Sequence, residues 1–178
     1  KEAPAPNSLM IVGDAHQRIY GKRAVLGKCG INAMRRSSKM RLNYRTTEKI
    51  RKRAVAILKG VTVDDLDGAQ DDNKGFRSLV VGKEPIEARY KTFDKEMDAI
   101  VETIVKWQKE DARTYSDYVV LARRQSDVES IAAALAERGL RSKQVKTDLT
   151  IRESEKGRVR ISTMHRAKGL EFVGVVVA

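Results

Sequence analysis

Short apolar runs alternating with amphipathic stretches of helix length predict an α/β fold: a parallel sheet with flanking helices. Three observations carry this. Tyr118-Val119-Val120-Leu121-Ala122 reads as a buried strand. Residues 94–109 place Met97, Ile100, Val101, Ile104, Val105 and Trp107 at helical spacing. No internal repeat or low-complexity tract interrupts the alternation.

Taken in order, Leu9-Met10-Ile11-Val12 is a short apolar run ending at Gly13-Asp14, a buried strand entering a loop. Residues 21–38 mix Gly21, Gly27, Gly30, Ser37 and Ser38 with cations, a loop or hinge composition. Residues 40–44 alternate like a strand. Thr46 or Thr47 caps a helix running to about Leu58, its apolar face made of Ile50, Ala54, Ile57 and Leu58. Residues 64–74 are acidic and read as an exposed loop, and 76–81 and 88–93 as strands. After the helix at 94–109 and the strand at 117–122, Ser126 caps a helix over 127–138 that stops at Gly139. Residues 143–145, 159–162 and 173–177 complete the strands.

Composition narrows the function. The chain has 178 residues, enough for one domain and a little more. No run approaches the roughly 18 apolar residues of a membrane span. Its Pro-rich, charged beginning has no apolar signal region, and its one cysteine excludes an internal disulfide framework. These features point to a cytoplasmic protein with no membrane partner and no metal site of its own. The net charge is +12, and the segment 18–53, with thirteen Lys/Arg against Glu48, carries all of it. The run is interleaved with Ile19, Tyr20, Val25, Leu26, Ile31, Leu42 and Tyr44. That pattern favours contact with phosphates over a merely solvated face.

In parallel sheets ligands sit at the carboxyl ends of strands, and three segments of interest begin there. The first is Gly13-Asp14-Ala15-His16-Gln17-Arg18-Ile19-Tyr20-Gly21-Lys22-Arg23-Ala24. A glutamine amide both donates and accepts, so Gln17 can hold a phosphate oxygen and a water together. Tyr20 can stack on a base, and the cations can neutralise phosphates. The second is Leu42-Asn43-Tyr44-Arg45-Thr46-Thr47, a flat ring followed by a planar cationic fork. The third is Thr163-Met164-His165-Arg166-Ala167-Lys168-Gly169-Leu170-Glu171-Phe172. There Gly169 permits positive φ, and Glu171 can accept two hydroxyl hydrogen bonds. Taken alone, the first segment is an ordinary strand-end loop and the second a helix cap with an exposed Arg.

In this order the three segments resemble motifs III, IV and V of the UvrD/Rep-like superfamily 1 DNA helicases. A fourth segment, 118–126, resembles the strand following motif IV, where Arg and Ser come after an apolar run. The resemblance spans residues 9–178. It implies a RecA-like parallel sheet with flanking helices, a P-loop NTPase-type second lobe without its own P-loop. Residues 1–38 become a lead-in from the first RecA-like lobe, and 39–178 the second lobe, truncated before motif VI.

By carry-over Gln17 senses the terminal phosphate of ATP and Arg45 acts on the γ-phosphate. Tyr44 stacks on adenine, and Glu171 holds the ribose beside Gly169. Tyr20, Arg23, Thr163 and His165 contact single-stranded DNA, whereas His16 is structural. Where the family frequently has an aromatic residue, this chain has Lys22, which implies a more electrostatic grip on the strand. The implied cofactor is ATP with Mg²⁺. The implied partners are single-stranded DNA and the first lobe of the same parent chain. The sequence holds no G-x-x-x-x-G-K-[ST] and no apolar run ending in Asp-Glu. The chain alone is therefore expected not to hydrolyse ATP. The alternative reading is a stand-alone basic nucleic-acid-binding module with no motor role. Residues 148–157 are where larger relatives would branch into an inserted domain, which is minimal or absent here.

Overall fold

A computed structural model describes residues 9–14, 25–31, 36–61, 75–145 and 155–178. The chain divides into two compact units, Lys1–Glu87 and Ala88–Ala178, each taken by itself below. No helix among the described residues is long and apolar enough to cross a membrane.

In the first unit, β1 (Leu42–Asn43) pairs in parallel with β2 (Arg77–Ser78), and α1 (Glu48–Ile57) lies between them in sequence. Both strands are shorter than the patterns at 40–44 and 76–81 predict. Beyond Ser78 the chain stops pairing as a strand and caps α1 instead. The carbonyls of Val80 and Val81 accept the N–H groups of Glu48 at 2.7 Å and Lys49 at 3.1 Å. This satisfies two of the donors that a helix start leaves open. Thr47 is the N-cap, as expected, yet its side chain makes no cap bond because neighbouring backbone does that work.

The expected apolar face of α1 is a correction. Ile50 and Ile57 are exposed, and no residue of the helix is buried. The helix is fastened to β2 through its polar side: Glu48 Oε2 accepts from Ser78 N at 2.8 Å and from Arg51 Nε at 2.9 Å. The segment 9–12 is a second correction. It is irregular and exposed, Met10 at 85 %. A strand needs a ladder partner, and no described strand pairs with it. Leu26–Cys29 forms a short 3-10 turn within the expected loop, and the acidic segment 64–74 lies outside the described residues.

The second unit holds the sheet. Its elements are α2 (Phe93–Asp111), β3 (Tyr118–Ala122), α3 (Gln125–Glu137), β4 (Ser142–Gln144), β5 (Val159–Thr163) and β6 (Gly174–Val177). The strand order is β4-β5-β3-β6, and every pair is parallel. Burial follows position in the sheet. The central strands β3 and β5 are buried at nearly every residue, the edge strands β4 and β6 at none.

One face of the sheet presents Tyr118, Val120, Ala122, Val159 and Ile161 to α2 and α3. The helices answer with Met97, Ile100 and Ile104, and with Val128, Ile131 and Leu135, so the helical spacing read from the sequence becomes the core. Each such side chain stabilises the unit by about 1.5–3 kcal/mol on burial. On the opposite face Arg160 is buried and paired with Glu155 at 3.2 Å, which Lys143 also grips at 3.1 Å. The two cations, Lys143 first, hold the Glu155 carboxyl below its usual range against the opposing effect of desolvation.

Two expectations in this unit are corrected. Residues 88–93 form no strand; Thr92 Oγ1 accepts from Lys95 N at 3.3 Å and commits the chain to α2 one residue later. Ser126 lies inside the first turn of α3 rather than capping it. The N-cap is Arg124, whose N–H donates to Asp127 Oδ2 at 3.2 Å. The side chain that reaches back is therefore the acid of the first turn.

Candidate nucleic-acid and nucleotide site

The parallel ladder brings two loops to one edge of the sheet. Ala122 and Thr163 are register partners, the last residues of β3 and β5. Past them, Met164 N donates to Ala122 O at 3.0 Å, so the chain after β5 starts level with Arg123. It then folds into consecutive turns over 164–169. Ala167 N donates to Thr163 O at 3.0 Å, and Leu170 N to Ala167 O at 3.0 Å. Gly169 closes the run at φ +84, a conformation that side chains with a Cβ rarely adopt.

Thr163, His165 and Gly169 therefore share one compact loop at the carboxyl end of the sheet, while Glu171 lies on the stretch that returns toward the amino end, where Val173 N donates to Asp117 O at 2.8 Å. His165, Gly169 and Glu171 are exposed, and Thr163 is partly buried. Thr163 Oγ1 accepts from Arg166 N at 3.4 Å, which leaves its O–H able to donate elsewhere. Arg166, which the sequence already places just past a strand end within reach of a nucleic-acid backbone, is exposed here, and so are Arg123, Arg124 and Lys168, which sequence reasoning did not assign. The signal was present in the Arg-Arg pair directly after β3. Only the β3–β5 register places that pair beside the second basic loop. Cations converging from two loops raise the local potential and suit a phosphate backbone.

Tyr44 and Arg45 belong to the other unit, on the loop between β1 and α1. The Tyr44 side chain is 76 % exposed, which leaves its ring open for stacking. Arg45 is exposed beside it. Asn43 Oδ1 accepts from Arg45 N at 2.8 Å and Thr46 N at 3.2 Å, an Asx turn at the end of β1. Gln17, Tyr20, Lys22 and Arg23 lie outside the described residues. Among the described residues no group of three or more His, Cys, Asp or Glu could hold a metal ion.

The family is decided by one comparison. The model of the UvrD-like helicase C-terminal domain matches residues 38–148, well over half of the chain. The chain belongs to this family. Comparisons with curated proteins and with solved structures find no match. The UvrD-like match contains the Asx-turn loop with Tyr44 and Arg45 and the Arg123-Arg124 pair. The basic loop after β5 and the segment 13–24 flank it on either side. The parallel α/β architecture agrees with a RecA-like UvrD-type C-terminal domain.

Proposed function

We propose that this chain is the second motor lobe of an ATP-dependent DNA helicase or translocase, forming one wall of the ATP cleft and part of the single-stranded DNA track. In this reading residues 39–178 are the second lobe, and 1–38 lead in from the first lobe of the same parent chain. The observation that supports it is the exposed Tyr44-Arg45 loop after β1, within the residues that match the UvrD-like domain; the exposed basic turns after β5 follow that match in sequence.

Nucleotide chemistry divides between them. The exposed ring of Tyr44 fits an adenine face, and Arg45 suits the γ-phosphate, where charge develops during transfer. Glu171, exposed two residues past the turn that Gly169 closes, suits a ribose diol. Gln17 would sense the same phosphate. ATP with Mg²⁺ supplies the energy of the motor. These 178 residues hold no phosphate-cradling G-x-x-x-x-G-K-[ST], so the cradle and the Mg²⁺ ligands belong to the first lobe. Thr163 and His165, with Tyr20, Lys22 and Arg23, would hold the strand. Arg123 and Arg124 add sequence-independent phosphate contacts.

The test is steady-state ATP hydrolysis by the motor containing both lobes, with single-stranded DNA present. Arg45→Ala is expected to lower kcat by about 10³-fold, the low end of what a transition-state arginine contributes. Tyr44→Ala is expected to raise KM for ATP with a smaller change in kcat, because stacking serves ground and transition states alike. Wild-type kinetics in both variants would exclude this loop from the ATP cleft.

A further inference from the structure

The Asn43 carboxamide shapes the loop between β1 and α1 through its hydrogen bonds. The loop's ends are fixed by backbone: Leu79 N donates to Asn43 O at 3.3 Å, and Glu48 N donates to Val80 O at 2.7 Å. Between those pins, Asn43 Oδ1 accepts from both Arg45 N and Thr46 N, and Asn43 Nδ2 donates to Thr46 Oγ1 at 2.5 Å. Both faces of one amide are used, each in the sense that its chemistry requires.

We propose that Asn43 is the positioning residue of the nucleotide loop, its three hydrogen bonds turning the chain so that Tyr44 and Arg45 stand out from the fold in fixed relation. The proposal rests on the reading of Tyr44 and Arg45 given above. An arginine that acts on developing charge is effective only if its place is set before the reaction. Arg45 sits two residues from a strand end, on a chain that loops outward. Without the Asx turn its amide and that of Thr46 would be held by water, and the backbone that carries Tyr44 and Arg45 would lose its set course. A hydroxyl at position 43 makes the same turn more weakly, and an aliphatic residue makes none. Asn43→Asp keeps the oxygen that accepts from both amides, so it retains the turn and loses only the donation to Thr46.

The experiment compares wild type, Arg45→Ala, Asn43→Ala and Asn43→Asp in the motor containing both lobes. It reads kcat and KM for ATP, the melting temperature, and amide exchange at Arg45 and Thr46. Asn43→Ala is expected to lower kcat roughly tenfold, well inside the ~10²-fold that a displaced catalytic group can lose. Its Arg45 and Thr46 amides exchange faster, with no matching fall in melting temperature, and Asn43→Asp recovers most of the rate. If Arg45→Ala is impaired while Asn43→Ala turns over as wild type, the positioning role is wrong and the nucleotide reading stands. If both Asn43 variants melt early and lose rate alike, Asn43 is structural and the proposal falls. If Arg45→Ala hydrolyses ATP as wild type, the nucleotide reading fails and takes this proposal with it.

Discussion

At the scale of residues, one carboxylate of the first unit ties α1 to β2 through side chain and backbone together. Glu48 accepts from Arg51 on its own helix and from the backbone of Ser78 on β2, with Lys52 Nζ 3.9 Å away. The Arg51 hydrogen bond, then the Ser78 bond, hold its pKa at about 2 rather than 4.5. A depressed carboxylate stabilises the fold above its unfolded value, and that contribution fades as pH falls through the folded one. The docking of α1 on β2 is therefore expected to hold at neutral pH and weaken between about pH 4.5 and 2. Protection of the Ser78 amide against exchange, followed on acidification, checks this. Glu48→Gln should be less protected at pH 7 and lose little more in acid. Equal protection at neutral pH in both proteins would show that the backbone ladder alone holds the helix. This contact was not legible in the sequence. Apolar periodicity pointed α1 inward through Ile50 and Ile57, and no pattern of charges announces that an acid will bond a distant backbone amide.

At the scale of elements, close approach is set by what a residue lacks. Gly174 of β6 is the register partner of Tyr118. A Cβ there would lie 2.7 Å from the Tyr118 ring and 2.8 Å from the Trp107 ring. Those atoms belong to packed aromatic rings whose centroids are 6.0 Å apart, so they cannot swing away as the end of a long chain would. Gly174→Ala is expected to loosen β6 from β3 and to cost about 1–3 kcal/mol in denaturant unfolding, as overpacking does. No change would mean that the edge strand shifts freely. Ile104→Ala, at a fully buried position on α2, should cost about 2–5 kcal/mol through the cavity it leaves. The two helices and four strands among the described residues of this unit were legible to within a few residues, because burial on one or both faces imposes its period on the sequence. The strand expected at 88–93 was not, since Thr92 uses its hydroxyl to begin α2 there.

At the scale of the whole molecule, a UvrD-like C-terminal domain combines with a surplus of +12 and two exposed loops of suitable chemistry. The segments at 42–47 and 163–172 were legible as motifs because each spans the end of a strand, β1 at Asn43 and β5 at Thr163. The addition of Arg123 and Arg124 to the second loop required the sheet order, which joins strands distant in sequence. The central claim is that this basic edge, together with Tyr20, Lys22 and Arg23, tracks a nucleic-acid backbone. The most direct test is the affinity of the 178-residue chain for single-stranded DNA across a salt series, for wild type and for the Arg23→Ala, His165→Ala double variant. Wild-type binding is expected to weaken steeply with salt. The double variant should bind clearly more weakly, its salt slope shallower by about 0.7 because Arg23 no longer neutralises a phosphate. Equal affinity and equal slope in the two proteins would contradict the claim, leaving the cations as a diffuse charge rather than a track.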